Sequence, residues 1–213
     1  MEEIIHASYS ASLEEMGRRT MRSLNLTASA GENVYLYGSP NHCQLHFSIL
    51  CGLKKPDFGA VFFQLQELHA MPDQAGAAFR RDYIGAIPQG GGLLPELSMI
   101  DQITLPMRLA GEESEVILSR LRELTSERMP LHSLYNLPGK CNPRKRAYAS
   151  VFKAVIRNPQ MIIVHGFMDE CGELDADALW DTLLFFRPKD SVLIYLSGAP
   201  APEQVQWTQS QKL

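Results

Sequence analysis

Short apolar runs separated by turn-forming residues predict a series of strands along the chain. Between residues 22 and 28, leucine and alanine alternate with polar residues, which is typical of a strand with one buried face. Residues 161–164 are a continuous apolar run, as expected for a parallel strand that is covered on both faces. The predicted strands span residues 3–9, 22–28, 34–37, 60–65, 83–87, 161–164 and 191–196.

Apolar residues at helical spacing predict helices between these strands. In residues 113–127 they recur on one side, which indicates an amphipathic helix. Helices are also predicted over residues 45–53, 144–157 and 176–186, and the triple glycine at 90–92 predicts a flexible loop. Strands that alternate with helices in this way favour an α/β fold, here with a helical insertion around residues 90–150.

The composition is that of a globular protein and excludes several classes of function. The chain has 213 residues, of which 45% are hydrophobic and 21% charged, so it suits one domain with a sizeable core. A net charge of -4 supplies no basic field for DNA or RNA, and no nucleic-acid partner is expected. No apolar stretch is long enough to span a bilayer, and the N-terminus lacks the features of a signal peptide. The four cysteines show no CxxC spacing, so they are expected to be free thiols in a reducing cytoplasm.

The segment 80–89 and the leucine- and proline-rich segments after it resemble one protein family. They read RRDYIGAIPQ, then LLPELS at 93–98, ITLP at 103–106 and LAG at 109–111. This sequence is similar to the nucleotide-binding domain of ATP-binding cassette (ABC) transporters, in particular to the lipoprotein-release, macrolide-export and phospholipid-trafficking cassettes. The resemblance covers nearly the whole chain and puts Gln89 at the Q-loop glutamine. In the family this loop touches the membrane subunit.

The resemblance implies a P-loop NTPase-like α/β cassette, with a mixed sheet core flanked by helices and a helical subdomain inserted into it. A single domain over residues 1–213 is then expected. Its RecA-like core would comprise residues 1–89 and 151–199, and its helical subdomain residues 90–150. The remaining residues, 200–213, would form a polar tail with no sign of a regulatory domain.

The phosphate-binding loop of the family is altered at most of its functional positions. Such a loop needs glycines whose backbone N–H groups wrap the phosphates, a lysine on the phosphates, and a Ser or Thr hydroxyl on Mg²⁺. Here Pro40 removes one N–H group, Gln44 replaces the lysine, and Leu45 stands at the hydroxyl position. The nucleotide-binding positions implied by the resemblance are Gly38, Asn41, Cys43, Gln44, Leu45, His46 and Gln89.

The catalytic positions of the family are altered as well. Counting from Pro159, the Mg²⁺-binding aspartate falls on His165 and the catalytic glutamate on Gly166. Imidazole is a poor ligand for Mg²⁺, and glycine cannot orient a water molecule. An acidic pair, Asp169 and Glu170, follows four residues later and is an alternative register. The histidine after the last strand, which the family uses as a switch, falls on Ser197 or Gly198.

The signature loop of the family corresponds to residues 141–145. Asn142, Pro143 and Arg144 stand where the family has Ser-Gly-Gly, which offers a hydroxyl and backbone amides to the γ-phosphate of the opposite subunit. Pro143 lacks an amide and Arg144 is bulky. A second register, over residues 137–140, retains one glycine but requires a four-residue insertion.

One further hypothesis concerns a metal. If the cassette fold is correct, His42, Cys43, His46 and His165 converge at the former Mg²⁺ site, and this ligand set suits Zn²⁺ or a similar transition metal. The alternative is that these positions became polar without binding anything.

Together these changes predict an ABC-type subunit that does not hydrolyse ATP. It is expected to be a structural or regulatory partner of an integral-membrane permease, peripheral on the cytoplasmic face of the membrane, with lipid or lipoprotein cargo implied by the resemblance alone. It would form a homodimer or pair with another ABC subunit. ATP and Mg²⁺ are disfavoured as cofactors, although the helix dipole after Gly38 and the Gln44 amide leave nucleotide binding open. The alternatives are an active ATPase that uses Asp169 and Glu170, and a soluble scaffold with no membrane partner.

Overall fold

The computed structural model describes residues 2–125, 129, 131–167 and 173–213. The strands are β1 (Glu3–Glu15), β2 (Arg18–Ser29), β3 (Asn33–Tyr37), β4 (Phe58–Phe63), β5 (Gln66–Glu67), β6 (Ile84–Ile87), β7 (Met161–His165), β8 (Val192–Ser197) and β9 (Gln209–Lys212). The α-helices are α1 (Pro40–Leu50), α2 (Asp73–Tyr83), α3 (Met99–Leu109), α4 (Ser114–Thr125), α5 (Pro143–Val155) and α6 (Glu173–Phe186). Each strand and helix that the sequence pattern predicts overlaps one of these elements.

The strands form two separate sheets. One is antiparallel, in the order β2-β1-β4-β5, and the other is parallel, in the order β6-β7-β8-β3-β9. The alternating segment 22–28 lies in β2 and buries Leu24, Leu26 and Ala28, as its pattern predicts. The strand predicted over residues 3–9 is longer than expected, because β1 continues to Glu15 and pairs with β2 in a tight hairpin.

Two buried layers cover the faces of the parallel sheet. In β8, Leu193 and Tyr195 pack into one layer, and Val192, Ile194 and Leu196 pack into the other. The first layer includes α3, α4, α5 and α6, and the second includes α1 and the antiparallel sheet. This two-sided burial explains why the sequences of β7 and β8 are continuously apolar.

A helical segment connects β6 to β7 and contains α3, α4 and α5. The side chain of Ser98 caps α3 by accepting a hydrogen bond from the Asp101 amide, and Asn142 caps α5 by accepting one from the Lys145 amide. The helix predicted over 113–127 is α4, and residues 126–127 lie outside the described residues. Neither α2 nor α3 was predicted from the sequence. The helix α2 has few apolar residues, and α3 contains Pro106 in its interior.

The three glycines in the loop after β6 allow its close packing and its backbone conformation. Gly90, Gly91 and Gly92 all have positive φ angles of 73°, 80° and 64°. A Cβ at Gly91 would lie 2.5 Å from Ser150 Oγ, and the Lys153 ammonium donates to the Gly92 carbonyl at 3.0 Å. Glycine is therefore required for the shape of this loop, a reason other than the flexibility expected from the sequence.

The polar tail is an ordered part of the fold. Its strand β9 adds to the edge of the parallel sheet beside β3, and the Trp207 ring lies 5.5 Å from that of Tyr35. The Leu213 amide donates to the Tyr37 carbonyl at 2.8 Å. The sequence Gln-Ser-Gln-Lys has no apolar residue to indicate a strand, so this element depends on the exposed edge of β3.

No helix in the described ranges combines the length and apolar character needed to cross a bilayer.

Gly85 tests the close contact between β6 and α5. A Cβ at this position would lie 2.4 Å from the Ala154 carbonyl oxygen, which belongs to the helix backbone. We expect Gly85→Ala to lower the free energy of unfolding by about 2 kcal/mol, because the helix must shift to make room. Gly139→Ala is the matched control, since nothing lies within 4 Å of its added Cβ. Equal denaturation midpoints for the two variants would contradict the packing.

Candidate functional site

The start of α1 determines the geometry of the candidate nucleotide site. The strand β3 ends at Tyr37 and α1 begins at Pro40, so Gly38 and Ser39 are the whole connection. Ser39 is the N-cap, and its hydroxyl accepts a hydrogen bond from the His42 amide at 3.3 Å. Proline at the first helical position has the φ angle that the helix needs. The helix predicted from residue 45 thus begins five residues earlier.

This early start removes the cradle in which a phosphate would bind. Pro40 has no amide, the His42 amide donates to Ser39 Oγ, and the Cys43 amide donates to the Ser39 carbonyl. The His42 and Cys43 amides thus both donate to Ser39. A P-loop needs several such amides that point at the ligand.

The residues at the lysine and hydroxyl positions have other contacts. The Gln44 amide donates to Ser48 Oγ at 3.1 Å, one turn further along α1. Leu45 is buried against the antiparallel sheet, with 4% of its surface exposed. Leucine at this position is therefore a core residue, which explains the loss of the hydroxyl in structural terms.

His46 is fully buried between α1 and the antiparallel sheet. Its Nδ1 lies 2.8 Å from the Tyr9 hydroxyl, and no described residue contacts its Nε2 by a hydrogen bond. Burial lowers the pKa of His46 to about 4, with smaller contributions of the same sign from His42 and Arg22. Burial also raises the pKa of Tyr9, so both groups are neutral at pH 7.

The catalytic positions lie at the end of β7. His165 is the last residue of this strand, is buried, and has its ring 5.6 Å from that of Phe47. Gly166 follows with a φ of 58°, and a Cβ added to it would lie 4.0 Å from Gln89 Cγ. The fold thus brings Gln89 and Gly166 together. The acidic alternative, Asp169 and Glu170, lies outside the described residues.

The positions of the switch histidine pack against the start of the phosphate loop. The Ser197 carbonyl accepts from the Gly38 amide at 3.2 Å, and its buried hydroxyl accepts from the Ala199 amide at 2.8 Å. A Cβ at Gly198 would lie 3.2 Å from the Gly38 carbonyl. An open depression of about 500 Å³ lies here, at the carboxyl ends of β3 and β8.

The signature positions form the start of α5. Asn142 is its N-cap and Pro143 its first residue. Arg144 lies 3.5 Å from Asp175 and about 5.8 Å from the centre of the Tyr148 ring. The Asn142 side chain acts as the cap by accepting a hydrogen bond from the Lys145 amide at 2.8 Å.

The zinc hypothesis for His42, Cys43, His46 and His165 is wrong. No group of three or more His, Cys, Asp or Glu residues in the described ranges is arranged to hold a metal ion. The side chains point to different places: His46 to Tyr9, His42 to Glu15, and the Cys43 thiol to the Gly38 carbonyl.

Sequence reasoning missed Glu15, which contacts the first turn of α1. The Asn41 side-chain amide donates to Glu15 Oε1 at 3.1 Å, and His42 Nε2 lies 3.6 Å from Glu15 Oε2. The Asn41 hydrogen bond is the main cause of the lowered pKa of Glu15, and His42 and Arg22 act in the same direction. Met16 and Gly17 form the hairpin turn with positive φ angles, and Gly17 is the one sequence signal for a turn next to Glu15.

His46 predicts a dependence of stability on pH. Its pKa is about 4 in the folded protein and 6.5 ordinarily, so the unfolded chain binds the proton more tightly. Stability is then greatest above pH 6.5 and falls by about 3 kcal/mol as the pH drops to 4. We expect His46→Gln to remove this fall in the free energy of unfolding, which urea unfolding at a series of pH values would measure. His6→Gln is the control, because His6 is exposed, and its stability should depend on pH as that of the wild type does.

If both variants showed the same dependence of stability on pH, the assignment of His46 as a buried neutral histidine would be wrong.

The chain is similar in sequence to known ATP-binding proteins. The chain is 26% identical over 180 residues to the lipoprotein-releasing system ATP-binding protein LolD of Geobacter metallireducens, which covers 83% of this chain and 79% of the relative. It is 23% identical over 168 residues to the cell division ATP-binding protein FtsE of Bacillus subtilis, covering 78% and 72%. No family model matches the chain.

Solved structures agree in fold. A dimeric ATP-binding cassette in a post-hydrolysis state, bound to ADP and Pi, superimposes with a TM-score of 0.79 at 16% identity, covering 92% of this chain and 88% of that one. At this identity the likeness establishes the fold. The chain therefore has the fold of an ATP-binding cassette and is similar in sequence to ATP-binding proteins such as that of the lipoprotein-releasing system.

Proposed function

We propose that this chain is a non-hydrolysing ABC subunit that serves as a structural or regulatory partner of a membrane permease. The observation that carries the proposal is the start of α1 at Pro40, which fills the phosphate cradle with helix. The protein would lie on the inner face of the membrane, as a peripheral subunit. Its cargo would be lipoprotein or lipid, by analogy with the relative named for lipoprotein release.

The loss of several catalytic groups at once supports inactivity. Phosphoryl transfer depends on positioning and on charge stabilisation by the lysine, the Mg²⁺ ligands and the residue that orients water. Here Gln44 is neutral and hydrogen-bonded to Ser48, Leu45 is in the core, and Gly166 has no side chain. Removing one preorganised group of this kind costs roughly 10²–10³-fold in rate, so their joint loss leaves little activity.

An open groove beside the helical segment supports a membrane partner. Its volume is about 330 Å³, and its apolar part includes Ile84, Ala86, Leu105 and Leu109. Leu109 is 65% exposed and adjoins the other apolar residues of the groove, so it is accessible to a partner.

The charges around this groove suit an acidic partner segment. Four cationic side chains also line it: Arg80, Arg81, Lys153 and Arg157. Burial lowers the pKa of Lys153, whose ammonium donates to the Gly92 carbonyl, an uncharged acceptor. A carboxylate from an amphipathic helix of the permease would compensate for this desolvated charge.

Dimerisation decides how transport would be powered. The cassette with the matching fold was solved as a dimer. We propose that this chain pairs with a second, active ATPase subunit, which would supply the energy for transport. If it pairs with itself, the energy must come from elsewhere.

The first test measures nucleotide chemistry. We expect purified protein to release phosphate from ATP no faster than its Glu170→Gln variant, because neither form completes the site. In a nucleotide titration, Mg²⁺ should not change the affinity, since Leu45 and His165 supply no hard oxygen ligand. Turnover that Glu170→Gln abolishes would instead establish the alternative of an active ATPase.

The second test measures docking. We expect Leu109→Asp to reduce recovery of an integral-membrane protein with the tagged subunit by about tenfold, equivalent to about 1.4 kcal/mol. Phe185→Asp is the matched control, because Phe185 is also a highly exposed apolar residue, 74% exposed, but lies on α6 outside the groove. If wild type and both variants all fail to recover a membrane protein, the soluble-scaffold alternative is favoured.

A further inference from the structure

The β1–β2 hairpin makes a polar contact with the first turn of α1. We call Glu15, Met16, Gly17 and Arg18 the hairpin tip. Glu15 is its contact residue, with distances of 3.1 Å to the Asn41 amide and 3.6 Å to His42 Nε2. Arg22, on the returning strand, lies 3.7 Å from the same carboxylate. One carboxylate is thus surrounded by three donor groups from two elements.

The hairpin is built to hold Glu15 at this position. Met16 and Gly17 have φ angles of 50° and 74°, the tight turn that joins two strands with two residues. A positive φ is uncommon for methionine, and the Met16 side chain is fully exposed, so local sequence preference alone does not favour this turn. The register that runs from Ser10 opposite Ser23 to Glu15 opposite Arg18 fixes the tip over α1.

The donors that surround Glu15 have few other partners. The Asn41 and His42 side chains extend from the first turn of α1, at positions that in the resembled family wrap phosphates. In the described ranges, His42 Nδ1 and Arg22 Nε are buried and have no hydrogen-bond partner. An open depression of about 730 Å³ lies beside the hairpin tip and is lined by Glu15 and Asn41, so Glu15→Ala would leave the Asn41 amide facing it.

We propose that Glu15 is a built-in anion that replaces a nucleotide phosphate and holds the antiparallel sheet on α1 in the absence of any ligand. The contact is charge-assisted and lies at the end of α1 where the helix dipole favours negative charge. It rests on the proposed function in one respect, which is that the first turn of α1 is helix and does not form a phosphate cradle. It adds that a carboxylate of the protein's own hairpin supplies the negative charge at this helix start.

The test compares Glu15→Ala with Glu14→Ala, using the 213-residue chain. Glu14 is the neighbouring carboxylate on the same hairpin, is exposed, and lies opposite Arg19 in the strand register. We expect Glu15→Ala to lower Tm by about 2–4 °C and to raise amide hydrogen exchange at least tenfold at the hairpin tip and in the first turn of α1. Glu14→Ala should match the wild type in both measurements. Equal behaviour of the two variants would overturn the proposal.

A second measurement separates the anion from mere packing. Inorganic pyrophosphate at constant ionic strength should raise the Tm of Glu15→Ala but leave that of the wild type unchanged, because the exposed Asn41, His42 and Arg22 groups then have an anion to bind. The double variant Glu15→Ala/Arg22→Gln should lose most of this gain. No gain in the single variant, or an equal gain in the wild type, would each sink the idea of a phosphate substitute. Phosphate release from ATP is scored separately, so failure of the proposed function remains distinguishable.

Discussion

The cap that Ser39 gives to α1 is the interaction on which the rest of the site depends. Once the helix begins at Pro40, residues 41–43 have helical backbone. The His42 and Cys43 amides then donate to Ser39. Pro40 makes this start favourable because its φ angle suits the first helical position and it has no amide to satisfy. A phosphate cradle and a helix that begins at Pro40 require different backbone conformations of residues 40–43, so one chain cannot form both at once.

The remaining features of the site follow from that choice. With the first turn formed, Leu45 and His46 face the antiparallel sheet and become core residues. Burial lowers the pKa of His46 and holds it neutral, and its Nδ1 lies 2.8 Å from the Tyr9 hydroxyl. Asn41 and His42 face the hairpin, where Glu15 supplies the negative charge. The parallel sheet, the helical segment and the groove near Leu109 do not depend on the cradle. The proposed loss of nucleotide chemistry is therefore compatible with the proposed surface for a partner.

Much of the fold could be predicted from the sequence, because burial imposes a period on the residues. The strands β7 and β8 are buried at every position since both faces are covered, and they are apolar up to their last residues, His165 and Ser197. The strand β2 alternates since only one face is covered. The loss of the lysine, hydroxyl and carboxylate groups is also visible in the sequence alone, since side-chain chemistry needs no structure to be recognised. Elements that form by pairing with an edge, such as β9, leave no such pattern in their own residues.

The sequence by itself determined the cassette fold and the identities of the altered positions. The tertiary structure decided what those positions do instead. It showed that residues expected to form an altered phosphate loop instead form the first turn of α1. It also showed that His42, Cys43 and His46 contact three different partners, and that Glu15 reaches Asn41 and His42 across 26 and 27 residues of chain. The physical reason is that a helix start and a contact between distant residues depend on the packing of α1 between two sheets, and that packing is a property of the whole chain.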